Sequence, residues 1–384
     1  MTRRAFRSTL ACVAVSVSLL GAFAEPAMAA VRTVWVSPFG MRDDTFALAV
    51  ASAGGAVYVA GGGRGGFRDE PFAGLFPSYV RKYDSAGNFL WSREFGHGRS
   101  VADDVAADVS GVYVAGREAC ADHFCGFVRK YDTAGSLVWS RTVGAGKHDV
   151  EVHGLSLFGG ALYLAGTADG AFPGQSIPGS EGAFVMKLGL DGSKQWVREF
   201  GGAEWSFAND VAASRTGIYV TGGTLSGSAA DQEGVFIRRY EPDGTLRWSR
   251  VIQTGEYGSA IAVRGRSVFV ATYRSGRSSD SHAFLRRLDT KDGDLAWTDK
   301  VGGYVWTLAP SMGGVLASGN SLRAFGPDGT MRWSFEPDAI DPAMQIFGVE
   351  ATGRAAFVSG YGRVIGDPIR DDDVFLARLQ LPAA

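Results

Sequence analysis

Apolar and polar residues alternate along most of this 384-residue chain in short runs that end at Asp/Gly clusters. One run spans 127–132, is followed by a turn at Gly135, and leads into a second alternating run around Trp139. A period of two places successive side chains on opposite faces of a strand, and an Asp/Gly turn between two such runs predicts a β-hairpin. No stretch shows a sustained 3.6-residue period, so we expect an all-β protein.

The hairpin pattern recurs about every 50 residues. After each tryptophan strand comes a strand of small apolar residues, such as 104–107, and then a β-branched and aromatic strand, such as 111–116. Four strands in a unit of about 50 residues are typical of a β-propeller blade. Seven tryptophans hold the same place in the repeat: Trp35, Trp91, Trp139, Trp196, Trp248, Trp297 and Trp333.

The two ends of the repeat region are incomplete in a complementary way. Residues 31–39 carry a tryptophan strand with no strands before it, and residues 374–379 match the strand that normally precedes the Asp/Gly turn. We therefore expect the N-terminal strand to close the last blade, which removes a free sheet edge. The prediction is one seven-bladed propeller of four-stranded antiparallel blades over 30–384. A linear array would leave both half-blades unpaired.

The composition agrees with many turns and argues against a polyanionic partner. Glycine accounts for 54 residues and proline for 13, and the period places the glycines at blade turns. The net charge is −2, and it becomes −4 without residues 1–29, which contain three arginines and one glutamate. Nucleic-acid binding needs a clustered positive face, and the sequence has no such cluster.

The first 29 residues have the pattern of an export signal. Arg3, Arg4 and Arg7 precede a mildly apolar stretch at 10–23, and an A-x-A cleavage pattern follows at 27–29. The arginine pair also fits a twin-arginine signal, with an ordinary secretory signal as the alternative. We expect an exported protein, located in the periplasm, at the cell surface or in the medium, with no transmembrane segment.

The repeat resembles the bacterial SBBP repeat, a β-propeller repeat of secreted proteins. The likeness covers residues 31–381 and rests on the Phe-Val-x-Lys-Tyr-Asp run, the following glycine and tryptophan, and the later Asp-Val-Ala and Val-Tyr-Val segments. It implies the fold and export. It implies no catalytic residue.

One copy is also similar to the tryptophan-docking repeat of pyrroloquinoline-quinone enzymes and of outer-membrane assembly propellers. Residues 289–293 with Trp297 have the longer Asp-to-Gly spacing of that pattern. A quinoprotein would need quinone and metal ligands that the sequence does not reveal.

Cys120 and Cys125 enclose four residues that include His123. In an exported protein this spacing predicts a disulfide that pins the loop at 117–125. Binding of a metal by the two cysteines and His123 is the alternative, although a fourth ligand is not apparent.

Acidic residues recur just before the innermost strand, at Asp43 and Asp44, Asp103 and Asp104, Asp149, and Asn209 with Asp210. At one mouth of a propeller channel, such carboxylates could bind calcium, which prefers several oxygen ligands. The alternative is that Asp and Asn cap turns through their own backbone. Calcium is the one cofactor that the sequence suggests.

A third polar group lies at 148–153, where Asp149, Glu151 and His153 alternate on one strand. They form either a solvated strand face or a general acid/base cluster.

We expect a monomeric, non-enzymatic binding scaffold whose inter-blade loops bind a protein or glycan ligand. Its specificity should lie in the loops at 63–77, 117–125, 168–181 and 224–233. The alternative class is an enzyme, either a carbohydrate-active hydrolase or lyase, or a quinoprotein.

Overall fold

The computed structural model describes residues 30–67, 74–96, 98–144, 146–177, 179–202, 204–225, 233–253, 255–274, 282–336, 344–362 and 374–382. These residues form 28 strands and include no helix, so none of them forms a helix that could cross a membrane. The predicted export segment lies outside this set, as do 68–73 and 226–232 of the predicted loops.

The strands form seven separate four-stranded antiparallel sheets. Blade 1 contains β2 (Thr45–Ala53), β3 (Ala56–Gly63), β4 (Ser78–Asp84) and β5 (Phe89–Phe95). Blade 2 contains β6 (Ser100–Asp108), β7 (Gly111–Cys120), β8 (His123–Asp132) and β9 (Leu137–Val143). Blade 3 contains β10 (Val150–Phe158), β11 (Ala161–Ala168), β12 (Gly182–Gly189) and β13 (Lys194–Phe200). Blade 4 contains β14 (Trp205–Ser214), β15 (Gly217–Leu225), β16 (Glu233–Tyr240) and β17 (Leu246–Gln253).

The remaining three blades complete the ring. Blade 5 contains β18 (Tyr257–Arg264), β19 (Ser267–Arg274), β20 (His282–Asp289) and β21 (Leu295–Lys300). Blade 6 contains the short strands β22 (Leu308–Ser311), β23 (Gly314–Ala317), β24 (Leu322–Phe325) and β25 (Met331–Phe335). Blade 7 contains β26 (Gln345–Thr352), β27 (Ala355–Tyr361), β28 (Val374–Gln380) and, as its outer strand, β1 (Arg32–Phe39).

The predicted closure is confirmed by the pairing of β1 with β28. The two strands run antiparallel, with Trp35 opposite Arg378 and Phe39 opposite Val374. The first strand therefore completes the last sheet, and the predicted seven-bladed propeller is the observed fold. Blade 6 has the shortest strands, of four or five residues each.

Six of the repeated tryptophans dock onto the next blade. The indole N–H of Trp139, for example, donates to the carbonyl oxygen of Leu190 at 3.0 Å, and its ring lies against Gly192. A left-handed backbone at that glycine, with φ +77°, brings the turn flat against the ring. Equivalent indole bonds of 2.9–3.2 Å join the other five interfaces from Trp35 to Trp297. Trp333 instead packs into the core of blades 6 and 7.

A partly buried arginine forms a second link between blades. In blade 2, the Arg129 guanidinium lies 4.5 Å from the ring centre of Phe95, which ends the outer strand of blade 1. In blade 4, Arg238 lies 4.0 Å from Phe200 of blade 3. A cation over an aromatic face attracts the ring quadrupole, most strongly where water is excluded. In blade 3 the equivalent position is Met186, which packs in the core with Val143.

Candidate functional site

The innermost strands surround a channel with a cavity of about 420 Å³. We call the end at which these strands begin the upper mouth; the second strands end and the third strands begin on the same side. Six inner strands carry a β-bulge near this mouth, which turns one extra side chain per blade toward the channel. The extra residues are Leu48, Asp103, His153, Asn209, Ser259 and Phe347, and Thr307 of blade 6 lines the channel with them.

Three of these side chains join neighbouring blades through the backbone. Asn209 donates to the carbonyl oxygen of Gly258 at 2.7 Å, and Ser259 donates to that of Val305 at 2.8 Å. Thr307 donates to the carbonyl oxygen of Phe347 at 2.6 Å. These polar side chains of blades 4 to 6 therefore link neighbouring blades of the ring.

Asp104 and Asp210 also bridge blades. Asp104 accepts from the N–H of Val105 at 2.7 Å and from that of Leu155 in blade 3 at 2.6 Å. Asp210 makes the same pair of bonds, to Val211 at 2.7 Å and to Ile261 of blade 5 at 2.8 Å. Both lie inside inner strands instead of before them, because the strands begin several residues earlier than the sequence pattern indicates.

Enclosure in the channel wall strongly affects these carboxyl groups. Desolvation and the charge of Asp210 together raise the pKa of Asp104 to about 8, although the two N–H donors oppose the shift. Desolvation likewise raises the pKa of Asp210 to about 7. Glu350 of β26 lines the same channel, and desolvation with the charge of Asp104 raises its pKa to about 7. Perturbed carboxyl groups that meet in one cavity are typical of functional sites.

Asp44 and Asp149 do not join Asp104 and Asp210. Asp44 is exposed before β2, and its backbone carbonyl accepts from the N–H of Arg64 at 2.7 Å. Asp149 accepts from the N–H of Phe124 at 2.6 Å. Within the described part of the chain, no three His, Cys, Asp or Glu side chains are placed to hold a metal ion. Calcium binding stays a prediction from the sequence.

A polar cluster lies at the upper mouth between blades 2 and 3. Nη1 of Arg117 lies 3.3 Å from Oδ2 of Asp103 and 3.3 Å from Oε2 of Glu151. It also lies 3.5 Å from Nδ1 of His153, whose Nε2 is 3.6 Å from the Glu151 carboxylate. We call these four residues the Arg117 cluster. The sequence pairs Glu151 with His153 correctly, but it gives no sign of Arg117 as their common partner.

The charge states in the Arg117 cluster follow from its surroundings. Desolvation, aided by the positive charge of Arg117, lowers the pKa of His153 to about 4, so the ring is neutral at pH 7. Its Nδ1 then accepts from Arg117, which leaves the proton on Nε2, on the side of Glu151. Desolvation raises the pKa of Asp103 to about 7; Arg117 opposes the shift, and the charges of Glu151 and Asp104 add to it.

The predicted disulfide is present and borders this cluster. Cys120 and Cys125 are bonded, with their Cα atoms 5.7 Å apart, so the alternative of metal binding by these cysteines is wrong. Most of the predicted loop at 117–125 is strand, since β7 and β8 leave a two-residue turn between them. The bond from Phe124 to Asp149 ties this long hairpin to blade 3.

Aromatic side chains cover the other side of the upper mouth, across blades 4 to 7. Consecutive ring centres are 5.2–6.1 Å apart, and the first and fifth pairs are stacked. Trp306 is 40% exposed and Tyr304 37% exposed, and Trp306 and Phe347 also line the channel. We call this set the aromatic arc: Trp205, Phe207, Tyr257, Tyr273, Tyr304, Trp306 and Phe347.

The sequence repeat does not predict the aromatic arc, although the tryptophans of the sequence contain a signal for it. The chain has nine tryptophans, and seven follow the repeat. Trp205 and Trp306 are the two that do not, and both lie in the arc. A large aromatic residue outside the repeat has no place in the repeated core, and so it marks a surface with another role.

No protein-family model and no curated protein matches the chain. Among solved structures, the chain is similar to the hydrazine synthase of Kuenenia stuttgartiensis, with 11% identity over 86% of this chain and 98% of that one, and a TM-score of 0.57. A puromycin hydrolase gives 15% identity over 88% of this chain and 57% of that one, with a TM-score of 0.54. The WD40 propeller domain of Doa1 gives 11% identity over 92% and 97%, with a TM-score of 0.50. The likeness shows the propeller fold alone.

Proposed function

We propose that this protein is an exported, non-enzymatic propeller of the SBBP-repeat type that binds a carbohydrate at the upper mouth of its channel. The observation that carries the proposal is the aromatic arc. Its rings are partly exposed and occur in four adjacent blades, and the last two, Trp306 and Phe347, line the channel. Partly exposed aromatic faces next to polar groups are typical of sites that bind ligands with both apolar and hydroxyl-bearing surfaces.

The polar side of the mouth supplies the groups that sugar hydroxyls need. Asp103 and Glu151 present carboxylate oxygens beside the arginine that holds them. His153 is neutral at pH 7, which supports a hydrogen-bonding role over proton transfer. The disulfide at 120–125 supports passage through an oxidising compartment, as expected for an exported protein.

The test is binding of soluble oligosaccharides to the exported protein, followed by tryptophan fluorescence and calorimetry. Trp306→Ala should weaken binding about tenfold or more, because it removes a ring that contacts the ligand. Phe158→Ala is the matched control, since Phe158 is 36% exposed at the opposite end of blade 3. Equal losses in both variants, or no binding to any member of a broad glycan panel, would contradict the proposal.

A carbohydrate-active hydrolase is the second candidate. Its supporting observation is the pair Asp103 and Glu151, held by one arginine, of which Asp103 has a pKa raised to about 7. Two neighbouring carboxyl groups, one of them protonated, are what glycoside hydrolysis requires. Release of reducing ends that Asp103→Asn abolishes would establish the hydrolase and replace the non-enzymatic proposal.

A further inference from the structure

The channel beneath the aromatic arc is lined by acids without basic partners. Asp104, Asp210 and Glu350 face the cavity, and Asp103 stands at its rim. The described residues that line the cavity include no lysine and no arginine. Arg117 neutralises Asp103 from outside the cavity, so the three deeper carboxyl groups have no cationic side chain of their own.

Glu350 differs from the two aspartates in its contacts. Asp104 and Asp210 each accept two backbone N–H groups, which explains them as structural links. Glu350 is partly buried, lines the cavity, and makes no hydrogen bond and no ion pair among the described residues. A carboxyl group desolvated without a partner costs free energy of folding. A ligand group that enters the cavity would offset this cost.

We infer that the carbohydrate bound at the upper mouth is an amino sugar whose amine enters the channel between Trp306, Phe347 and Glu350. The inference rests on the proposed carbohydrate binding and names the substrate class. An ammonium group supplies the charge that the cavity lacks, and aromatic faces at the rim favour a cation further. The sugar rings themselves lie against the aromatic arc.

Binding of the amine beside Glu350 requires no proton from solvent. A neutral amine that enters beside a protonated Glu350 takes the carboxyl proton onto its nitrogen, which leaves a carboxylate and an ammonium as an ion pair. The same pair forms when an ammonium meets an ionised Glu350. A calcium ion fits less well, because no three acidic side chains among the described residues converge on one point.

The experiment compares two oligosaccharides of equal length at pH 7 by calorimetry, a β-1,4-glucosamine tetramer and its fully N-acetylated form. The exported protein should bind the amine form at least tenfold more tightly. Glu350→Gln should reduce this ratio about tenfold, whereas Asp243→Asn, at an exposed aspartate in a turn at the opposite end of blade 4, should preserve it. The readout is the ratio of the affinities for the two tetramers, measured on the same protein preparation. A partly unfolded variant would lower the binding signal of both tetramers equally and would leave this ratio unchanged.

The other outcomes separate the two proposals. Equal affinity for both tetramers would overturn the amine inference and retain carbohydrate binding. A lysine tripeptide that binds as tightly as the glucosamine tetramer would overturn the sugar specificity and point to a cationic peptide. If neither tetramer binds and the wider glycan panel is also negative, both proposals fail.

Discussion

Glu350 should make the stability of the folded protein depend on pH in a direction opposite to that of most acidic residues. Its ordinary pKa is 4.5, whereas desolvation and the charge of Asp104 raise the pKa to about 7 in the folded protein. Between these values the folded chain binds a proton that the unfolded chain releases. The contribution of Glu350 to the free energy of unfolding is therefore most favourable below pH 4.5 and is lost as the pH rises through 7.

The magnitude follows from the difference between the two pKa values. A difference of about 2.5 corresponds to about 3 kcal/mol when both states have reached their limits. The titratable groups that face Glu350 across the channel are Asp103, Asp104, His153 and Asp210. The strands packed against β26, which are β2, β22, β23 and β27, carry no Asp, Glu, Lys, Arg or His. No lysine or arginine among the described residues of the cavity therefore opposes the effect.

Glu350→Gln keeps the shape of the side chain and removes its titration. We expect the free energy of unfolding of the wild type to fall by about 2–3 kcal/mol relative to this variant between pH 5 and pH 8.5. Urea titrations followed by tryptophan fluorescence measure the difference, with Glu204→Gln as the exposed control. Parallel profiles for wild type and Glu350→Gln across this range would refute the argument that Glu350 holds a proton in the folded state.

Three further predictions concern structural links, two between blades 2 and 3 and one within blade 2. Trp139→Phe keeps the ring contact but loses the 3.0 Å hydrogen bond to the carbonyl oxygen of Leu190. The free energy of unfolding, measured by urea titration, should therefore fall by about 1 kcal/mol. An unchanged urea midpoint would mean that the bond contributes nothing to stability. Gly192→Ala should cost about 1–2 kcal/mol, because φ is +77° there and the new Cβ would lie 3.1 Å from the Trp139 ring; a stability equal to wild type by thermal melting would contradict this. The Cys120–Cys125 pair should react with a thiol probe only after reduction, and its replacement by serines should cost about 2 kcal/mol or less; labelling without reductant would show that the disulfide does not form in solution.

The fold could be predicted from sequence because its links repeat. An Asp at the start of each outer hairpin accepts from the N–H two residues later, as Asp132 does from Ala134 at 2.9 Å, and a glycine with positive φ follows. Such turns depend on local chemistry, so the residue types reveal them. The strands that contain Trp35 and Val374 likewise predict the closure of the ring. The first of them has no preceding strands of its own blade, and the last blade has no outer strand without it.

The site was only partly predictable because it depends on bulges and on contacts between blades. A bulge inserts one residue without a fixed sequence signature, which moves Asp103 and Asp104 to different neighbours within one strand. Sequence spacing therefore groups Asp44 with Asp104, although their places relative to the bulges differ. Arg117 reaches Glu151 across a blade boundary, and Glu350 of blade 7 lines the same cavity as Asp104 of blade 2. Sequence spacing shows neither relation.

The positions that break the repeat are more informative about function than those that keep it. The docked tryptophans and the turns that receive them lie at the end of the blades opposite the upper mouth, and each blade needs them to hold its neighbour. Selection for stability keeps those positions alike in every copy. The links between blades near the upper mouth differ from blade to blade, so a tryptophan at 306, a glutamate at 350 or an arginine at 117 occurs in one blade alone. Trp306 and Glu350 line one cavity and Arg117 binds Asp103 at its rim, and a ligand that touches several blades at once accounts for them together.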